Sequence, residues 1–243
     1  MMGSLKKLSH FTGRAIHDYS MIDDRDSILV AVSGGEDSLA MLELLFLLQK
    51  RAPVRFKLFP VHVDPGFGGD MSASLEYYIK GRYGNLLVDY THHGVIAHST
   101  KNRENPCFLC SRLRRKRLFE IARDLGCSKI AMGHHKDDII ETLFINMCYS
   151  GRMGTMTPYQ KFFGGEITVI RPLAYADKRD IKKFAVTQGF PELINPCPSD
   201  GFTKRSQVRA LLNELYKTNR NIKGNLFRAM SNVQIDYLLR QTI

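Results

Sequence analysis

Three stretches carry residues whose types and spacing could do chemistry. In Ser33-Gly34-Gly35-Glu36-Asp37-Ser38, a Gly-Gly pair follows an apolar run, Ile28 to Val32, and precedes a strongly helical one, Leu39 to Leu45. A buried strand, a Gly-Gly turn and a helix start in that order make an anion site. Backbone N–H groups point outward, the helix dipole adds positive partial charge, and a phosphate can come close where Cβ atoms are absent. Ser33 and Ser38 can add hydroxyl donors, and Asp37 can cap the helix or hold a metal ion. The spacing is neither Gly-x-x-x-x-Gly-Lys-Ser/Thr nor Gly-x-Gly-x-x-Gly, so this is a phosphate loop of another kind. Cys107-Phe108-Leu109-Cys110 brings two thiols to a loop-to-helix junction, where they can share one metal centre. Cys197, between Pro196 and Pro198, sits in a stiff extended loop that presents a ligand better than it packs a core. In Gly133-His134-His135-Lys136-Asp137-Asp138 a strand end again meets a helix start. Two carboxylates across the crevice from the glycine loop suit Mg²⁺ on bound phosphates, and helix capping or dipole compensation is their other use.

These groups need elements to position them. Arg55 to Asp64 reads as a second strand, stopped by Pro65-Gly66. Ligands of an open parallel sheet bind beyond the C-terminal strand ends, so Val61 and Val63 lie where an adenine ring could rest against backbone groups. His62 is read as a strand-end residue without chemistry. Residues 70 to 83 read as a helix, Asn85 to Tyr90 as a strand, and the stretch with His92, His93 and His98 as a loop of solvent-facing histidines. Ser128 to Met132 is a fourth strand, Ile139 to Tyr149 an amphipathic helix, Gly151 to Pro158 a loop with Arg152 available for phosphate. Glu166 to Ile170 is a further strand, Lys178 to Gln188 a helix, and the chain from Thr203 onward is helical and basic. Residues 4 to 19 form a helix that caps the domain or touches a partner. Strands alternating with helices predict an α/β fold with a doubly wound parallel sheet.

The 243 residues carry 35 Lys and Arg against 24 Asp and Glu, a net charge of +11, which points to a polyanionic partner such as nucleic acid. A basic helix starts at the Cys-x-x-Cys: five of the seven residues from Ser111 to Arg117 are cationic. Arg112, Arg114, Arg115, Lys116 and Arg117, with Lys204, Arg205 and Arg209 later, are the expected RNA phosphate contacts. Positive charge beside Cys107 and Cys110 is expected to favour thiolate. No apolar run is long enough to cross a membrane and the start lacks a secretory core, so a cytoplasmic chain is expected. Five cysteines in such a chain argue for metal or redox use of a clustered pair. Cys127 and Cys148 read instead as small buried hydrophobes.

Taken together, Val32 to Ser38, Pro65-Gly66-Phe67, Cys107 to Arg115, Gly133 to Ile139, Ile170-Arg171-Pro172-Leu173-Ala174-Tyr175 and the late Cys197 resemble the tRNA 2-thiocytidine synthetase family of PP-loop ATP pyrophosphatases. The likeness covers roughly residues 27 to 210. It implies a Rossmann-like α/β fold with added helices at both ends: an N-terminal helical segment 1–26, a thiolation domain 27–200 and a basic helical segment 201–243. It also implies ATP held by Ala31, Ser33, Gly34, Gly35, Asp37, Ser38, Val61, Val63 and Gly133, with Mg²⁺ on Asp37 and Asp138. Cys107, Cys110 and Cys197 match the ligands of a [4Fe–4S] cluster, and with the two aspartates they form the implied catalytic set. The implied reaction adenylates the C2 oxygen of an anticodon-loop cytidine and replaces it with sulfur. The implied partners are tRNA, a sulfur donor such as a cysteine desulfurase or free sulfide, and a second copy of the chain. Glu36 departs from the family, which usually has Lys there; a carboxylate repels phosphates unless it points away or meets Mg²⁺. Two alternatives stand beside this reading. One is a PP-loop enzyme of the 2-thiouridine or lysidine synthetase type; in the lysidine type the cysteines would be structural, with zinc as their metal. The other is a non-catalytic ATP- or cluster-binding protein that docks on RNA.

Overall fold

Ile28, Leu29 and Val30 are all fully buried because β1 (Ser27–Ala31) lies inside a sheet covered on both faces. The structure is a computed structural model that describes residues 2–199 and 203–239. In chain order, the first unit contains α1 (Met2–Asp18), β1, α2 (Glu36–Gln49), β2 (Lys57–Asp64), α3 (Met71–Tyr83), β3 (Leu87–Tyr90), α4 (His93–Ala97), α5 (Pro106–Asp124) and β4 (Lys129–Ala131). The helix α6 (Lys136–Ser150) follows, and then β5 (Tyr159–Phe162), β6 (Ile167–Ile170) and α7 (Lys178–Gln188). The last helices are α8 (Lys204–Thr218) and α9 (Ile222–Ala229). The sheet order is β3-β2-β1-β4-β6-β5, parallel throughout except for β5, which runs antiparallel to β6 at the edge. β5 is an addition to the expected strands.

Side-chain alternation along the strands divides the core. Ile28 and Val30 face a cluster with Leu8 and Ala15 of α1, Leu39, Met41, Leu42 and Leu45 of α2, Leu75 and Ile79 of α3, and Ile181 and Phe184 of α7. Leu29 faces the other cluster, with Val61, Val63, Ile130 and Val169 from the sheet and Leu118, Phe119, Ile121 and Ala122 from α5. The N-terminal helix is thus part of the sheet domain.

The chain divides into two compact units: Met1–Lys136 with Thr157–Gly201, and Asp137–Met156 with Phe202–Ile243. This division cuts across the expected segments 1–26, 27–200 and 201–243. The physical reason is burial: α1 is held in the first core, whereas Ile140 on α6 is covered by Val208 and Leu212 of α8. The expected boundary at 200/201 and the chain end 240–243 lie outside the described residues.

Two local expectations are corrected. The stretch around His93 is not loop throughout but contains the short α4. There His93 is half-buried and held below its ordinary pKa by burial. Cys127 is buried as expected, but Cys148 is exposed, lying near the end of α6 where the helix has left its apolar partners.

Candidate active site

The β1–α2 connection is a cradle of backbone. Gly34 has φ +86°, a conformation that favours glycine, and Gly35 starts the helix from extended backbone with no side-chain cap. Asp37 therefore does not cap α2; it sits with Glu36 in the first turn, where carboxylates complement the dipole. The hydroxyls shape the loop. Ser38 Oγ donates to the Gly35 carbonyl at 2.8 Å and accepts from Ser33 N–H at 3.1 Å, with Ser33 Oγ 3.3 Å away. Gly133, beyond β4, closes the cradle from the side. A Cβ there would lie 3.1 Å from Asp37 C and O and from Ser38 Cα, so only glycine lets the end of β4 approach the start of α2 without displacement.

The charge at the loop has a pattern that spans the fold. Lys178, in the first turn of α7, places Nζ 2.6 and 2.7 Å from the two Asp37 oxygens and 2.8 Å from Glu36 Oε1. Burial pulls the Lys178 pKa down, but the Asp37 and Glu36 carboxylates outweigh it and hold the group above its ordinary range, so it stays cationic. His135, almost fully buried, has Nε2 3.6 Å from Asp37 Oδ1. Sequence reasoning missed both partners of Asp37. One signal was present for Lys178: a cation in a first helical turn opposes the dipole and needs a local reason.

Ala31 ends β1 beside the loop, and Val32 N–H donates to the Val61 carbonyl at 2.8 Å. Val61 and Val63 are buried by side chain in the second cluster, so what they can offer a base is backbone. His62 points to the opposite face and is buried. Its Nδ1 lies 2.8 Å from the Val32 carbonyl and its Nε2 3.1 Å from Ser72 Oγ, and Ser72 Oγ donates to Asp64. Burial holds the His62 pKa below its ordinary value. Its role is to tie β2 to the loop and to α3, in line with a residue without chemistry.

Asn105 caps α5, its side chain accepting from Phe108 N–H, so Cys107 and Cys110 both fall in the first turns of the helix. Cys107, Cys110 and Cys197 are half-buried free thiols. They are near enough that Cys107 and Cys197 both push the Cys110 pKa upward. Burial is the larger cause, and together these exceed the opposing pull of Arg114, so the expected depression by the basic helix is corrected for Cys110. Among the described residues no three His, Cys, Asp or Glu side chains stand ready to hold a metal ion, the three thiols included. The Cys197 loop is tethered by His98, whose Nε2 lies 2.8 Å from Ser199 Oγ.

The basic residues divide by partner. Arg112, Arg114, Arg115 and Lys116 are exposed; Arg112 reaches Glu104 at 3.1 Å and Lys116 reaches Glu120 at 3.8 Å. Arg117 is half-buried and forks onto Asp89, both bonds 2.8 Å, with Glu120 at 3.2 Å. Arg171, which follows β6, is buried; its Nη1 donates to the Thr157 carbonyl, and burial with nearby Arg115 pushes its pKa down to about 10. In the second unit Asp138 lies 3.0 Å from Arg205, and Arg209 forks onto the buried Glu141 at 2.7 and 3.1 Å. Lys204 is exposed and stacks over Tyr149, 4.6 Å from the ring centre.

A parallel sheet whose first strand feeds a Ser-Gly-Gly-x-Asp-Ser cradle defines the PP-loop class, and a PP-loop domain model matches residues 6–215. The tRNA-cytidine(32) 2-sulfurtransferase of Geobacter sulfurreducens is 40% identical over 237 residues, covering 96% of this chain and 92% of that protein. The enzyme of the same name from Alkalilimnicola ehrlichii is 42% identical over 242 residues, covering 96% and 75%. The chain belongs to the tRNA-cytidine(32) 2-sulfurtransferase family, a family of transferases. In fold it is similar to the U34-tRNA thiolase NcsA from Methanococcus maripaludis, solved with its [4Fe–4S] cluster, with a TM-score of 0.77 at 19% identity over 97% of this chain and 80% of that one. No helix among the described residues is long and apolar enough to cross a membrane.

Proposed function

We propose that this chain thiolates tRNA at the expense of ATP, replacing the C2 oxygen of the anticodon-loop cytidine at position 32 with sulfur. The observation that carries the reading is one compact unit holding both a PP-loop cradle and three free thiols, Cys107, Cys110 and Cys197. The cradle suits a polyphosphate: Gly34, at φ +86°, and Gly35, at the start of α2, carry no side chain between backbone and ligand, and Ser33 and Ser38 line the turn. Asp37 is the carboxylate that would hold Mg²⁺ there. Cys107, Cys110 and Cys197, free thiols of one compact unit, are the residues that would hold a [4Fe–4S] cluster, and the Cys197 loop would have to close on α5 to bring all three to ligating distance. Held by these three cysteines, such a cluster would supply iron able to carry the sulfur for transfer.

The chemistry of the residues follows from the poor leaving ability of the C2 oxygen. Attack by that oxygen on the α-phosphorus of ATP forms an O–P bond and breaks the bond to pyrophosphate. The loop backbone and Ser33 hold the departing pyrophosphate in line. Sulfur then attacks C2 and AMP leaves with the oxygen. Exposed Arg112, Arg114, Arg115 and Lys116 on α5 and Lys204 on α8 grip the RNA backbone, and the target base leaves its loop stack. The sulfur comes from a cysteine desulfurase or free sulfide, and the chain works in the cytoplasm as a homodimer.

Mass spectrometry of tRNA nucleosides from cells lacking the protein tests the substrate: 2-thiocytidine should vanish and return on complementation. An unchanged level refutes it. Anaerobic purification tests the thiols: iron near four per chain supports the cluster, and colourless zinc-loaded protein would instead favour the lysidine synthetase type. Cys107→Ser, Cys110→Ser and Cys197→Ser should each lose iron, while Cys148→Ser keeps it.

A further inference from the structure

The glycine loop has an electrostatic problem that its own residues do not solve. Its backbone N–H groups and the α2 dipole amount to roughly half a positive charge. Glu36 and Asp37, in the first turn of the same helix, bring two formal negative charges. A polyphosphate entering such a loop is opposed unless a cation accompanies it. That cation comes from a different element. Lys178 bridges both carboxylates within 2.8 Å, and all three side chains are about 30% exposed, so the triad sits at the rim of the cradle and not beneath it.

The platform under Lys178 is firm. Ile181 and Phe184 of α7 are fully buried, and Asp180, also buried, is held by Lys7 at 2.7 Å. Lys136 N–H donates to the Ala176 carbonyl at 3.1 Å, fixing the approach to the helix. Lysine suits the task because its ammonium is a compact point charge on a flexible stem that can exchange acceptors without backbone motion.

We propose that Lys178 is the phosphate-binding cation of the PP-loop, carried on α7 instead of on the loop: it exchanges Glu36 and Asp37 for the ATP polyphosphate. In the ATP-free protein it neutralises the loop; with ATP it contacts phosphate oxygens, and the carboxylates are released. Lys178 is thus a substrate-binding residue for the proposed reaction, and the inference rests on that reading of the loop as an ATP site.

The test is equilibrium binding of ATP and of AMP, with pyrophosphate release, in the full chain. The variants are Lys178→Ala, Lys178→Glu and the charge exchange Glu36→Lys/Lys178→Glu. Lys183→Ala, an exposed lysine on the same helix, is the control. Lys178→Ala should weaken ATP about 10- to 100-fold, the worth of one hydrogen bond between charged groups. It should weaken AMP far less, because AMP lacks the pyrophosphate. The charge exchange keeps the ion pair with the cation now on the loop, and should recover ATP affinity to within about threefold of the parent. Parent-like ATP binding by Lys178→Ala overturns the proposal. So does equal weakening of ATP and AMP, which marks a merely structural role, or a double variant no tighter than Lys178→Glu. A parent chain that binds no ATP sinks the proposed function itself, and is recognised because every variant is then silent.

Discussion

Gly133→Ala tests whether the cradle depends on the close approach of the β4 end to the start of α2. The new Cβ would stand 3.1 Å from Asp37 C, Asp37 O and Ser38 Cα. Carbon contacts settle near 3.5–4.0 Å, so the helix start must move by about 0.4 Å or more. These are backbone atoms and cannot rotate aside. Overpacking of this kind costs about 1–3 kcal/mol. For a chain of this size that lowers Tm by about 2–12 °C. The functional cost follows from position: a misplacement of about 1 Å at reacting groups costs about a hundredfold, so half of that at Asp37 and Ser38 should cost about tenfold in tRNA-stimulated pyrophosphate release. Gly81→Ala is the contrast. That residue is exposed in α3 with nothing within 4 Å of its would-be Cβ. It should gain about 0.5–1 kcal/mol of helix stability and leave pyrophosphate release alone. Thermal melts and release assays on both variants decide the matter. Parent-like stability and turnover in Gly133→Ala would refute the argument that this contact sets the loop.

Further outcomes follow from the same structure. Arg114→Ala and Arg115→Ala should each weaken tRNA binding and lower the salt slope by about 1 in a filter-binding titration, whereas Arg117→Ala, which breaks the fork onto Asp89, should mainly lower stability. Equal salt slopes for all three would contradict this division. His62 and His93 are both held below their ordinary pKa, chiefly by burial. Below about pH 6.5 the unfolded chain therefore takes up protons that the fold refuses, and stability should fall as pH drops, by at most about 1.4 kcal/mol per unit for each histidine. Urea midpoints that stay flat from pH 7 to pH 5 would refute this. Lys129→Met should cost about 1–3 kcal/mol, because the buried ammonium bridges Asp23 and Asp26 at 2.7 and 2.6 Å and Asp26 would be left half-buried without its cation; the figure is below that for a fully buried pair since Asp23 is largely exposed and its backbone N–H still donates to Asp26. Chemical denaturation measures it, and an unchanged midpoint would count against the bridge.

What was legible in the sequence is what neighbouring residues decide. The run Ile28 to Val32 and the Gly-Gly turn are local, and they fold as β1 and the cradle. Lys178 to Gln188 is bounded as a helix by Asp177 before it and the left-handed Gly189 after it. β5 was not legible: Tyr159 to Phe162 is too short to show a period, and its strand identity comes from its antiparallel register with β6. Cys148 read as core because α6 is amphipathic, but the second unit buries Ile140 and leaves the end of that helix open. The largest gap concerns charge. Counting cations finds a basic helix, but it cannot tell Arg114 from Arg117, whose partner Asp89 is 28 residues away. In the same way Glu36 reads alone as a defect in a phosphate loop. Beside Lys178, which lies 141 residues after Asp37, it reads as half of an ion pair whose cation has been moved to another helix. A loop motif specifies the backbone cradle, because φ angles and absent Cβ atoms are local properties. It does not specify the electrostatics of that cradle, because a charge acts through space on whatever the fold brings near it. The residue that departs from the motif and the residue that answers it therefore have to be tested together, as a pair.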